Sequence, residues 1–157
     1  VLANGYKPSK TVKFMAYAAE EVGLRGSKEI AESFKRENKN VIGVMQLDMT
    51  NHNGSRDLDI VFMRDYTNAA QNAFMGQLID KYVHVRWGYS QCGYGCSDHA
   101  SWHNQGFPAS IPFESTMDDI NRKIHTADDV IENSNSNADH AEKFSKLAVA
   151  FIVEMAK

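Results

Sequence analysis

The sequence predicts an α/β domain, a three-layer α/β/α sandwich around a mostly parallel central sheet. Three observations carry this. Residues 11–19 and 41–49 are almost continuous apolar runs, the pattern of strands covered on both faces. Segments with helical spacing separate the apolar runs, and a long amphipathic stretch closes the chain. The 157 residues are 43% hydrophobic and 24% charged, enough for one packed core and incompatible with wholesale disorder. One domain, or part of one, is therefore expected over residues 1–157.

Taken in order, the run at 11–19 stops abruptly at Glu20-Glu21. Residues 23–38 follow with Leu24, Ile30, Ala31 and Phe34 spaced for a helix face, and Asn40 closes them. Residues 41–49 are the second expected strand. Asn53-Gly54 is a turn signal, and 58–63 is the third strand. Residues 69–85 have helical spacing through Phe74, Leu78, Ile79 and Tyr82. Residues 86–97 read as a Gly- and Cys-rich loop. Residues 98–104 suit a short helix with Asp98 near its N-cap. A fourth strand at 107–113 is interrupted by Pro108 and Pro112, which places it at an edge. The polar stretch 114–137 reads as loop, with a helical turn at 127–132. Residues 138–156 form an amphipathic helix with Ala141, Phe144, Leu147, Ala148, Phe151, Ile152 and Met155 on one face.

Charge excludes some function classes. The net charge is −3, and no block of one sign interrupts the mixture, so neither a nucleic-acid surface nor a polybasic membrane patch is expected. No apolar run approaches the ~20 residues of a membrane-spanning helix, and no signal peptide is visible. The chain opens on Val1-Leu2-Ala3 without an initiator Met, as expected of a processed or excised piece.

Two cysteines are too few for a tetrathiolate zinc site. Cys92 and Cys96 read first as a local disulfide, with Gly93 and Gly95 allowing so small a ring; free, partly buried thiols are the alternative. Such a bridge contributes roughly 2 kcal/mol, so it shapes a loop more than it holds a fold. It also implies an oxidising compartment.

Glu20-Glu21 follows one apolar run and Asp48 interrupts another, where ligands of open α/β sheets bind, at strand C-terminal ends. A carboxylate there must be paired, hydrogen-bonded or metal-bound. His99 and His103 stand four apart, a spacing that can chelate zinc and that suits packing around Trp102 equally well. His84 and His140 lie in polar helical contexts and are expected at the surface. His125, after a polar loop, is uninformative by spacing. The residues alone therefore lead to a carboxylate-rich α/β domain with metal-binding potential.

Four motifs carry the reading further. Ala18-Ala19-Glu20-Glu21-Val22-Gly23-Leu24-Arg25-Gly26-Ser27, Gln46-Leu47-Asp48-Met49-Thr50, the stretch from Cys92-Gly93-Tyr94-Gly95-Cys96-Ser97-Asp98 through His103, and Ile124-His125-Thr126 stand in sequence. Together they resemble the secreted bacterial leucyl aminopeptidases, co-catalytic dizinc exopeptidases, over nearly the whole chain. The resemblance implies Glu20 as general base, Glu21 and His125 as ligands of one zinc, and Asp48 as a ligand of the other. Adjacent side chains point in different directions, so a base and a ligand can be neighbours. It places the substrate pocket on Met49, Tyr94, Ile111, Phe113, Met117, Ile120 and Ile124, suited to a leucine-like side chain. Tyr94 would donate a hydrogen bond to the developing oxyanion.

The family also draws a His ligand and a bridging Asp from a segment upstream of the strand that here begins near Thr11. The ten residues before Thr11 contain neither His nor Asp. The expectation is thus a partial catalytic domain that acts on peptides with a free N-terminus in the extracellular space. Two zinc ions fill the complete site and at most one this chain, which by itself would be weakly active or inactive and prone to self-association. An inactive fragment, or a binding module keeping the apolar pocket, is the competing expectation.

Overall fold

The computed structural model describes residues 4–157. Among the described residues, four helices and five short strands are arranged in layers. They are α1 (Arg25–Arg36), β1 (Val44–Met45), β2 (Ile60–Met63), α2 (Ala69–Leu78), β3 (Trp87–Ser90), α3 (His99–Asn104), β4 (Ala109–Ser110), β5 (Pro112–Phe113) and α4 (Asp139–Met155). β1 pairs in parallel with β4, Val44 opposite Ala109. The other sheet runs β3-β2-β5, parallel between β2 and β3 and antiparallel between β2 and β5. Mixed helices and sheet with parallel strands are as expected, but among the described residues the sheet falls into two pieces.

Helices cover two faces. Ala31 of α1, Trp102 of α3 and Ala109 form one core with Val44 against them. Ile60 and Phe62 of β2 join Met75 and Leu78 of α2 and Phe144, Leu147 and Phe151 of α4 in the other, with Met45 against them. Val44 and Met45 thus point to opposite layers, as successive strand residues must. The amide of Gln71 on α2 ties the small sheet to this layer, donating to the Val44 carbonyl at 2.7 Å and the Ser110 hydroxyl at 3.0 Å. No described helix is long and apolar enough to cross a membrane.

Several elements differ from the sequence expectation. Residues 11–19 form no strand among the described residues, bending at Ala18 and turning left-handed at Ala19. Met15 and Tyr17 pack on the α1/α3 core, whereas Phe14 is 86% exposed. An apolar run marks a strand for burial, but only a neighbouring strand supplies the ladder and the second covered face. Residues 87–90, read as loop, are β3. Trp87 and Tyr89 project to the same side, Trp87 edge-on to both Phe62 and Tyr89 and Tyr89 tilted against Phe62, and such aromatic pairs stabilise a strand that glycine at 88 would weaken. Gly76 admits this tryptophan, since a Cβ there would lie 2.3 Å from Trp87 Cη2. The expected fourth strand divides into β4 and β5, which join different sheets, with β5 at an edge as its proline requires. The helix expected to reach residue 85 ends at Leu78 and continues as a π turn, Ile79–Val83. The turn expected at 127–132 is a 3₁₀ turn at Ile131–Ser134.

Candidate active site

Glu20–Val22 is one 3₁₀ turn between residues 11–19 and α1. It is closed by the Gly26 amide donating to the Ala18 carbonyl at 3.0 Å and the Leu24 amide to the Glu20 carbonyl at 2.9 Å. A Cβ at position 26 would lie 2.6 Å from the Ala18 oxygen, so this crossing needs glycine. Ala19, directly before Glu20, Met49, directly after Asp48, and His125 itself all have left-handed backbone, φ 61°, 53° and 62°. Each such residue costs on the order of 1–3 kcal/mol unless its surroundings hold it, and strain of this kind collects at functional sites.

The fold brings Glu20, Glu21 and His125 together, with Asp48 near enough to Glu20 to repel its charge. His125 Nε2 lies 3.1 Å from Glu21 Oε1, with both side chains about two-thirds exposed. Glu20 stands beside this pair. Burial raises its pKa most, followed by repulsion from Asp48, Glu21 and Asp98, with His125 opposing. Such a carboxylate accepts a proton more readily than a free one, as a base working near neutrality must. Asp48 accepts the Ser97 hydroxyl at 2.7 Å.

Ser97 and Asp98 were not singled out as functional in the sequence. Asp98 was expected to cap α3, but its carboxylate makes no cap bond. It is 4% exposed, one oxygen has no hydrogen-bond partner, and burial followed by Asp48 raises its pKa against the Ser27 hydroxyl. An N-cap signal and a buried carboxylate are the same letters in sequence. His140, expected at the surface, is buried, because α4 turns it toward the Glu114 carbonyl, 3.2 Å from Nε2. His99 and His103 do not converge. His99 is fully buried with Nε2 on the Asp65 carbonyl at 3.1 Å, while His103 is exposed and meets Tyr66 edge-on.

Beside the polar site, Met49, Met117 and Ile120 pack on Met63, Ile111 and Phe113, together with Cys92 and Cys96. Those cysteines form the expected disulfide. Five of the seven predicted pocket residues thus share one apolar cluster. Tyr94, 60% exposed on the disulfide loop, and Ile124 stand outside it.

Imidazole nitrogen and carboxylate oxygen are donors that zinc takes, so Glu21 and His125 fit one ion as part of its donor set. Among the described residues no three His, Cys, Asp or Glu side chains converge into a complete cage.

A family model described as peptidase family M28 matches residues 1–152. The chain belongs to peptidase family M28. Leucine aminopeptidase 1 of Emericella nidulans is 35% identical over 99% of the chain, which spans 40% of that relative. The LapA aminopeptidase of Legionella pneumophila is 42% identical and superposes with a TM-score of 0.83 over 89% of the chain and 38% of its own. LapB of the same organism superposes with a TM-score of 0.91 at 36% identity, over 98% of the chain and 42% of its own. The chain therefore spans about two-fifths of the length of these relatives, and the structural matches show an aminopeptidase-like fold.

Proposed function

We propose that this chain carries the base, one metal-binding pair and the side-chain pocket of a zinc aminopeptidase that removes large apolar residues such as leucine from peptide N-termini outside the cell. The observation that carries this reading is Glu20, with its raised pKa, beside the 3.1 Å Glu21–His125 contact. Its relatives' names and the adjoining apolar cluster agree with it, and the disulfide suits an oxidising compartment.

Bound zinc would supply Lewis acidity toward the scissile carbonyl and toward a water molecule. Glu21 and His125 would hold one ion. Asp48, aimed by Ser97, would hold a second together with residues this chain lacks. On its own the chain would then retain at most one ion, weakly. Glu20 takes a proton at its carboxylate as the water attacks and returns it to the leaving amine; repulsion from Asp48, Glu21 and Asp98 strengthens its hold on that proton. The Tyr94 hydroxyl, presented by the disulfide loop, donates to the carbonyl oxygen as it gains charge. Met49, Ile111, Phe113, Met117, Ile120 and Ile124 receive the side chain of the first residue.

The test uses the full-length protein carrying this sequence. Glu20→Gln should leave zinc content nearly intact while leucine p-nitroanilide hydrolysis falls ~100-fold or more, the scale of lost proton transfer. Glu21→Gln should lower zinc occupancy instead. Equal loss of zinc in both variants would overturn the assignment.

A further inference from the structure

Glu114 is a buried carboxylate to which the mechanism gives no role. It is 3% exposed and directly follows Phe113 of the apolar cluster. One carboxylate oxygen accepts two backbone amides, Asn51 at 2.8 Å and His52 at 2.7 Å. Its own amide donates to the Met49 carbonyl at 3.0 Å, and its carbonyl faces His140 Nε2 of α4 at 3.2 Å. Burial pushes its carboxyl above the usual range, against the two amide bonds and His52.

These bonds join two stretches of chain that both contribute side chains to the apolar cluster. Residues 49–55 bring Met49, in its left-handed conformation. Residues 113–120 bring Phe113, Met117 and Ile120. Ser55 adds a second tie, donating to Asp119 at 2.8 Å and accepting the Thr116 amide at 2.9 Å. Asn51 anchors the first stretch to α4, accepting the Ala141 amide at 3.1 Å and donating to the Asn137 carbonyl at 2.8 Å. Loops of this kind have no ladder to hold their spacing. Here the Glu114 carboxylate is the shared acceptor of two of these ties, and removing it leaves two partly buried amides without that partner.

We infer that Glu114 is a positioning residue that fixes the separation of the Met49 and Phe113–Ile120 walls and so sets the pocket's preference for a leucine-sized side chain. The inference rests on the pocket assignment proposed above. It predicts that widening between these walls weakens capture of a large side chain far more than a small one, since the lost contacts are those the longer side chain makes.

Two readouts test it in the full-length protein. The first is amide hydrogen exchange, which needs no activity. Glu114→Ala should speed exchange at Asn51, His52 and Glu114–Ile120 by tenfold or more while Ile60–Met63 stays protected; Glu114→Gln, which keeps a carbonyl acceptor, should restore protection. The second is kcat and KM for leucine and alanine p-nitroanilides. Glu114→Ala should raise KM for leucine about tenfold, the scale of one or two lost methylene contacts, with kcat and the alanine values changed less than twofold, and Glu114→Gln should recover the preference. Unchanged exchange, an unchanged leucine-to-alanine ratio, or equal loss on both substrates overturns the inference. A wild-type protein that protects these amides yet shows no preference for leucine overturns the pocket assignment and this inference with it, while leaving the loop tie standing.

Discussion

Acidification should destabilise this fold through one buried imidazole, His99. The ring is fully buried at the start of α3. Nε2 faces the Asp65 carbonyl at 3.1 Å, and Nδ1 has no partner, so a second ring proton would be a buried charge with nothing to accept it. Burial pushes the pKa down to about 4, helped by His103 and resisted by the Asp65 carbonyl and by the charges of Asp48 and Asp65. The unfolded chain binds this proton near pH 6.5. Stability from the neutral ring is therefore complete above pH 7 and is lost as pH falls through 6.5 toward 4. At 1.36 kcal/mol per pH unit the ceiling is about 3 kcal/mol, and about 2 kcal/mol of it is lost between pH 7 and 4.5. Glu114 and Asp98 act in the opposite sense, since their raised values let the folded state hold protons more readily. Comparison with a variant cancels those contributions. His99→Gln keeps an N–H donor for Asp65 and cannot titrate. Urea unfolding at pH 7 and pH 4.5 should show wild type losing about 2 kcal/mol more than His99→Gln over that interval. Equal losses, within about 0.5 kcal/mol, would refute the reasoning. The consequence reaches the site, because Asp65 also accepts the Cys92 amide at 2.7 Å and the residue two before His99 is the Ser97 that holds Asp48.

Two further substitutions set one effect against another. Gly76→Ala improves helix propensity in α2 by about 1 kcal/mol, yet its Cβ would meet the Trp87 ring at 2.3 Å. Overpacking costs about 1–3 kcal/mol and should win, lowering the melting temperature by several degrees; a higher melting temperature would show that Trp87 yields freely. Tyr17→Phe removes the acceptor of the Trp102 indole N–H, 2.9 Å away, and leaves that buried donor unmet at about 1–3 kcal/mol. Denaturant unfolding with unchanged stability would show that this bond does not hold residues 11–19 on the α1/α3 core.

Features governed by local spacing were legible in the sequence. The amphipathic pattern that became α4, the tight ring between Cys92 and Cys96, and the carboxylates at Glu20, Glu21 and Asp48 all depend on neighbours within a few residues, where periodicity and turn chemistry act. The tertiary structure alone decided the rest. Glu21 meets His125, and Ser97 reaches Asp48, only because distant segments fold onto one another. Trp87–Ser90 is a strand because β2 offers it a ladder, and residues 11–19 are not one among the described residues because nothing does. His140 and Asp98 looked like a surface histidine and a cap; packing turned the first toward Glu114 and enclosed the second beside Asp48. Side-chain period tells which residues seek burial, but the partner that satisfies a buried amide, carboxylate or strand edge is set by which segments the fold brings together.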